Sequence, residues 1–233
     1  MESWDWAALP PEIVLDFWFP DDGHWADPET HRAFWTWRMR GGADDTIRER
    51  FSELTEAAAR GRLDHWATTP RGRVALVIAL DQFPRSVWRG TPAAFAQDTR
   101  AAGLVLEGFA NGDYDALPNP WEKAFCLISI GHAEGPGHLA RMRDALARSR
   151  ALVEAAPEHL RLTYRIVEDQ NRLAHDVIAR FGRHPHRNAV LGRDSTDAEA
   201  EYIATGDFPH ARKIPTAPEE VEAMLAARAS APA

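Results

Sequence analysis

The chain is short of cysteine, with a single one, Cys126, in 233 residues. One thiol cannot form an internal disulfide, and its place in the apolar run FCLISI makes a small buried side chain the expectation in a reducing compartment. Long apolar runs are also missing, since no stretch approaches the roughly 18 uninterrupted residues of a membrane span. The N-terminal MESWDWAALPPE carries Glu2 and Asp5 and no basic residue before its first apolar run, so it lacks the positive region of a secretory signal. These absences predict a cytoplasmic chain with no membrane partner.

Positive charge is scarce as well. The 27 Lys and Arg residues against 35 Asp and Glu leave a formal charge of -8, which argues against broad attraction to nucleic acid or anionic lipid. Between Val177 and Arg193 the balance reverses, with Arg180, Arg183, Arg187, Arg193, His184 and His186 and no acid at all. Such a segment must face acids brought from elsewhere in the fold or attract an anionic ligand.

Familiar cofactor signatures are absent too. There is no GxGxxG or GxxxxGK[ST] to cradle phosphates, and the glycines of GHAEGPG at 131 to 137 read as a turn between helices. No G-x-S-x-G elbow supports a covalent nucleophile. No HExxH or CxxC spacing selects a metal, so no cofactor is expected. A divalent ion would have to draw on His132, Glu134 and His175, with His186 completing the set.

What is present is helix. Apolar residues recur at spacings of three and four, which predicts an all-α, single-domain array of antiparallel helix pairs over 1–233. The PPEIVLDFWFP segment predicts a short first helix, and Asp27 followed by Pro28 the cap and first turn of a second, ending at Gly41 and Gly42. Ile47, Phe51, Leu54 and Ala58 mark one face of a third, stopped near Gly61. Residues 70–83 are apolar on nearly all sides, which predicts a central buried helix. Further helices are expected from Thr91–Pro92 to about Gly112, from Asn119–Pro120 to about Gly131, over 137–156, from Glu158 to Phe181, and from a Thr196 cap to Ile203. The segment 219–233 reads as a terminal helix fraying into a small-residue tail. The nine tryptophans, Trp4 among them, are mostly core, with Trp25 and Trp88 expected in loops.

The strings ALDQFPRSVWRGTPAAFAQDTRA, an acid-bearing HAE segment and HDVIARFGRHPHRNAVLGRDST resemble the bacterial family of unknown function called DUF924. The resemblance runs from the FWF of the first helix to EAEYI near the end. It implies a tetratricopeptide-repeat-like helical fold in degenerate form, because no 34-residue repeat or W-x2-L-G-x2-Y signature stands out. The chain departs from the family's usual strings in two places. LISIGHAE at 127–134 lacks the proline and serine of YLPFEHSE while keeping His132 and Glu134, and His184 stands where an aromatic residue is usual.

Polar residues gather in DQFPR, 81–85, and RFGRHPHRN, 180–188. Asp81 ends a buried apolar helix, where an ion must be paired; Arg85 is the nearest partner, although Pro84 is expected to break the helix between them. The pair could serve chemistry or simply pin the following loop. On the long helix Arg172, His175, Asp176 and Arg180 share a face. Pro185 is expected to force an extended approach to His186, Arg187 and Asn188. The candidate proton-handling residues are therefore Asp81, His132, Glu134, His175 and His186. The candidate binding residues are Gln82, Arg85, Trp88, Arg89, Arg180, Arg187 and Asn188. The two segments read as opposing walls of one pocket of an acid–base enzyme or binder acting on a small anionic molecule. A helical-repeat adaptor binding a peptide, and a purely architectural network, are the alternatives.

Overall fold

The computed structural model describes residues 5–212, 214–215 and 217–229, so Trp4 and the 230–233 tail lie outside the described residues. Among the described residues every regular element is a helix. In chain order these are α1 (Glu12–Trp18), α2 (Pro28–Met39), α3 (Asp44–Arg50), α4 (Ser52–Ala59), α5 (Pro70–Asp81), α6 (Phe83–Val87), α7 (Asp98–Asn111), α8 (Asp113–Ala116), α9 (Pro120–His132), α10 (His138–Ala155), α11 (Arg161–Phe181), α12 (Asp197–Thr205) and α13 (Pro218–Ala229), with short 3-10 turns between some of them. The chain forms two compact units: Met1–Asp22 with Gly41–Glu134, and Gly23–Arg40 with Gly135–Ala233.

In the first unit α5 is the central element. Thr69 caps it, its hydroxyl accepting from the Gly72 N–H at 3.1 Å, and Pro70 occupies the first turn, where its missing N–H costs nothing. Gly72 is required by close approach: a Cβ there would fall 2.2 Å from the Trp66 carbonyl oxygen. From Val74 to Asp81 every side chain is buried, and α1, α4, α7 and α9 pack around the helix. Its end meets an aromatic cluster in which Phe51 lies 4.8 Å from Phe17 and 5.0 Å from Phe83, and Trp18 lies 5.5 Å from Phe125. Each fully buried ring contributes roughly 1.5–3 kcal/mol of hydrophobic stabilisation, which outweighs any local propensity at these positions.

Several boundaries differ from the periodicity. The expected third helix is two, α3 and α4, because Phe51 leaves the helical region at φ -119° as its ring enters the aromatic cluster. Thr91–Pro92 opens a 3-10 turn, Pro92–Phe95, and α7 starts only at Asp98. Most consequential is Pro84: it does not end the helical path but sits in the first turn of α6, where a residue lacking an N–H is tolerated.

In the second unit α10 and α11 run antiparallel. Ser149 accepts from Asn171 at 2.7 Å, and Arg150 reaches Glu168 at 3.3 Å. Gly182, at φ 70°, stops α11 in a conformation that disfavours any residue with a Cβ. Asp27 caps α2 by accepting from the Thr30 N–H at 2.7 Å, and Thr196 with Glu199 forms a capping box on α12. Ile166 of α11 packs with Val221 and Leu225 of α13. Trp25 lies in a 3-10 turn, His24–Ala26, rather than in an open loop.

Candidate functional site

The C-terminal end of α5 places Asp81 in the interior of the first unit, with no exposed surface. Three neighbours satisfy it. His132, at the end of α9, brings its Nδ1 to 2.9 Å from Oδ1 and 3.1 Å from Oδ2. Gln82 donates its side-chain amide to Oδ2, and Arg85 sits 3.5 Å from Oδ1 while donating to the Asp81 carbonyl. The i, i+4 contact that the expected break at Pro84 left open is thus made, because α6 continues the path of α5 with only a slight break. Burial alone would raise the Asp81 pKa; the Arg85 guanidinium and then His132 more than offset it, and the carboxyl is held well below the usual range.

An ionised Asp81 can only accept hydrogen bonds, so His132 must carry its proton on Nδ1 when neutral, which leaves Nε2 as the basic nitrogen. The His132 side chain is 24% exposed, against none for Asp81. Arg85 is 23% exposed and is held by a second acid: its Nη2 donates to both oxygens of Asp98, each at 3.0 Å. Its guanidinium lies 5.7 Å from the ring of Phe95, which belongs to the 3-10 turn Pro92–Phe95. Arg89 pairs with Asp44, which also accepts from the Ser86 hydroxyl at 2.6 Å. Trp88 ends α6 half-buried, and Glu134 is half-buried two residues beyond His132.

The remaining candidates belong to the second unit. His175 is half-buried and meets Asp176 at 3.1 Å, and Asp176 also accepts from Arg172 at 3.3 Å. Arg180 is exposed, its guanidinium 4.7 Å from the Phe181 ring. Pro185 opens a 3-10 turn, Pro185–Arg187, instead of the extended approach the proline suggested, because only His184 before it needs the extended region. In that turn the His186 ring lies 4.5 Å from His210 and 5.3 Å from Phe208. Arg187 and Asn188 are buried, and Asn188 donates to the Ser195 hydroxyl at 3.0 Å. Part of the acid-free run finds its acid inside its own unit: Arg183 donates to both oxygens of Glu199, at 2.6 and 2.8 Å, and those bonds hold the Glu199 carboxyl well below its usual range.

Among the described residues no group of three or more His, Cys, Asp or Glu could hold a metal ion. Cys126 is buried, as its run suggested, and burial pushes its thiol up to about 12, which removes it as a nucleophile. It lines a void of about 10 Å³ with Val74, Val105, Gly108 and Tyr114, room for a single water rather than a substrate. Among the described residues no helix is long and apolar enough to cross a membrane.

The family described as bacterial protein of unknown function, DUF924, matches residues 14–207. The chain belongs to the DUF924 family. A solved structure of a protein of unknown function from Agrobacterium tumefaciens is similar to this DUF924 chain, with 30% identity and a TM-score of 0.62, covering 84% of this chain and 97% of that one. No curated protein matches it.

Two groupings escaped the sequence reading of this DUF924 protein. Asp98 lies inside the motif string that carries the family resemblance, and the only local signal is an acid in the first turn of the helix that follows an arginine-bearing one. The other grouping is in the second unit, where buried His24 and His31 share a hydrogen bond between Nδ1 atoms at 2.9 Å and His31 Nε2 meets the Tyr164 hydroxyl at 3.1 Å. Tyr164 is 133 residues from His31, so no spacing rule could pair them.

Proposed function

We propose that this DUF924 protein is a proton-transfer enzyme or binder for a small anionic molecule, with His132 as the group that exchanges the proton and Asp81 as its buried orienter. The observation that carries this reading is the difference in exposure within one hydrogen-bonded pair. Asp81 has no exposed surface, while His132, 2.9 Å away, retains 24% of its side-chain surface. A carboxylate enclosed in this way cannot touch a substrate, but it fixes the ring's tautomer and stabilises the imidazolium formed when Nε2 takes up a proton. Glu134, two residues along, and the half-buried Arg85 supply the neighbouring charges.

This reading narrows the wider set of proton-handling candidates to one histidine, and it places Asp81 in support rather than in contact. Its chemistry is of the hydrolase or lyase kind, general acid–base catalysis without a covalent enzyme intermediate. The test is turnover of a panel of small carboxylate and phosphate esters and hydroxy acids by the full chain. The expected result is activity that falls about 100-fold or more in His132→Asn and in Asp81→Asn, with helicity retained by circular dichroism and activity kept in His175→Asn. Activity equal to wild type in the folded His132→Asn variant, or turnover of no member of the panel, overturns the reading. Native mass spectrometry of protein purified without a tag adds a second check, because a retained small anion lost in Arg85→Gln would identify the substrate class directly.

A further inference from the structure

Resting on the proton-transfer reading above, we propose that Asp98 is a positioning residue for the His132–Asp81 pair and acts through Arg85. Asp98 is 3% exposed in the first turn of α7. Both its oxygens accept from Arg85 Nη2 at 3.0 Å, whereas the Arg85 approach to the Asp81 carboxylate is longer, at 3.5 Å. One guanidinium is thus divided between two buried carboxylates, and its closer contact is with Asp98.

That division matters for the histidine. His132 meets Asp81 at the end of α5; Gln82 and, on α6, Arg85 meet the same aspartate, Asp98 on α7 pairs with Arg85, and Glu134 follows His132 in sequence. His132, Asp81, Arg85 and Asp98 are thus linked in turn, histidine to aspartate to arginine to aspartate. If Asp98 loses its charge, the whole positive charge of Arg85 falls on Asp81. The carboxylate then holds the imidazolium less strongly and has less power to keep the neutral ring's proton on Nδ1. Asp98 therefore acts on a ring that it does not touch.

The test is a pH titration of the full chain by long-range 1H–15N spectroscopy, with the His132 signals assigned by their disappearance in His132→Asn. Asp98→Asn is expected to lower the His132 protonation midpoint by about one pH unit, the size expected from removing one nearby charge at an intermediate effective dielectric. It should also raise the share of the Nε2–H tautomer, and Asp98→Glu should restore both. A structural role alone would leave midpoint and tautomer where they are. If Asp81→Asn shifts the His132 midpoint and Asp98→Asn does not, the role assigned to Asp98 is overturned while the dyad stands. If neither shifts it, the dyad reading is lost and this inference with it. Should Asp98→Asn fail to fold, Arg85→Gln carries the test: the midpoint rises if Arg85 is the link, and an unchanged midpoint overturns the proposal.

Discussion

Asp81 in the first unit and His31 in the second are both fully buried polar groups, yet the protein satisfies them in opposite ways. Asp81 is kept as an ion, with Arg85, His132 and Gln82 supplying positive charge and hydrogen bonds. His31 is kept neutral: burial, then the neighbouring His24, Arg38 and His159, push its pKa down to about 3, and it takes part in hydrogen bonds to His24 and Tyr164 instead. An enclosed ion needs an opposite charge, and an enclosed neutral ring needs only matched donors and acceptors. On the reading proposed above, the first arrangement serves proton transfer, because its charge is already in place. The second is suited to holding α2 against α11.

The sharpest way to break this contrast is to remove the ion. Asp81→Ala leaves Arg85 and His132 facing a lost carboxylate and is expected to lower the unfolding free energy by about 3–5 kcal/mol in urea. A loss under about 1 kcal/mol would mean that Asp98 satisfies Arg85 unaided.

Acid separates the two regions next. His31 has a folded-state pKa below its ordinary value of 6.5, so the stability it contributes is present above pH 6.5 and is lost as pH falls towards about 3. Urea titrations should show stability falling by about 1.4 kcal/mol per pH unit across that window, or roughly 3 kcal/mol by pH 4.5. His31→Gln should flatten the slope. Asp81, whose folded pKa is depressed, keeps its contribution until far lower pH, so a slope unchanged in His31→Gln would remove the contrast.

Tyr164→Phe deletes one hydroxyl and leaves His31 Nε2 without that partner. Thermal melts should show a cost of about 1–2 kcal/mol, smaller than for Asp81 because no charge is stranded. Smallest of all should be Glu56→Ala, which breaks an exposed i, i+4 pair with Arg60 on α4 and is expected to cost under about 0.5 kcal/mol, vanishing in high salt. A larger value there would blur the distinction between buried and exposed charge on which the comparison rests.

Helix positions were legible where a local rule was sufficient. Asp27–Pro28, Asn119–Pro120, Thr196 and Phe181 mark ends that the structure keeps, because caps and breakers act within one turn. The break at Phe51 was not legible, since the partners of its ring come from α1 and α6. Pro84 misled for a similar reason: the sequence says that a proline interrupts hydrogen bonding, but not that the next helix will begin beneath it and carry Arg85 back to Asp81.

For the candidate site the division is the same. Asp81, Arg85 and His132 could be named from their residue types and their places at helix ends, because a carboxylate closing an apolar helix requires a partner wherever the chain goes next. By itself the sequence determined the helical class, the family and the need for that partner. Only the tertiary structure decided that His132, 51 residues away, and Asp98, beyond a 3-10 turn, would be the groups arranged around it. Long-range pairing is set by how helices pack, and packing depends on the shapes of many side chains at once, which no spacing of a few residues encodes.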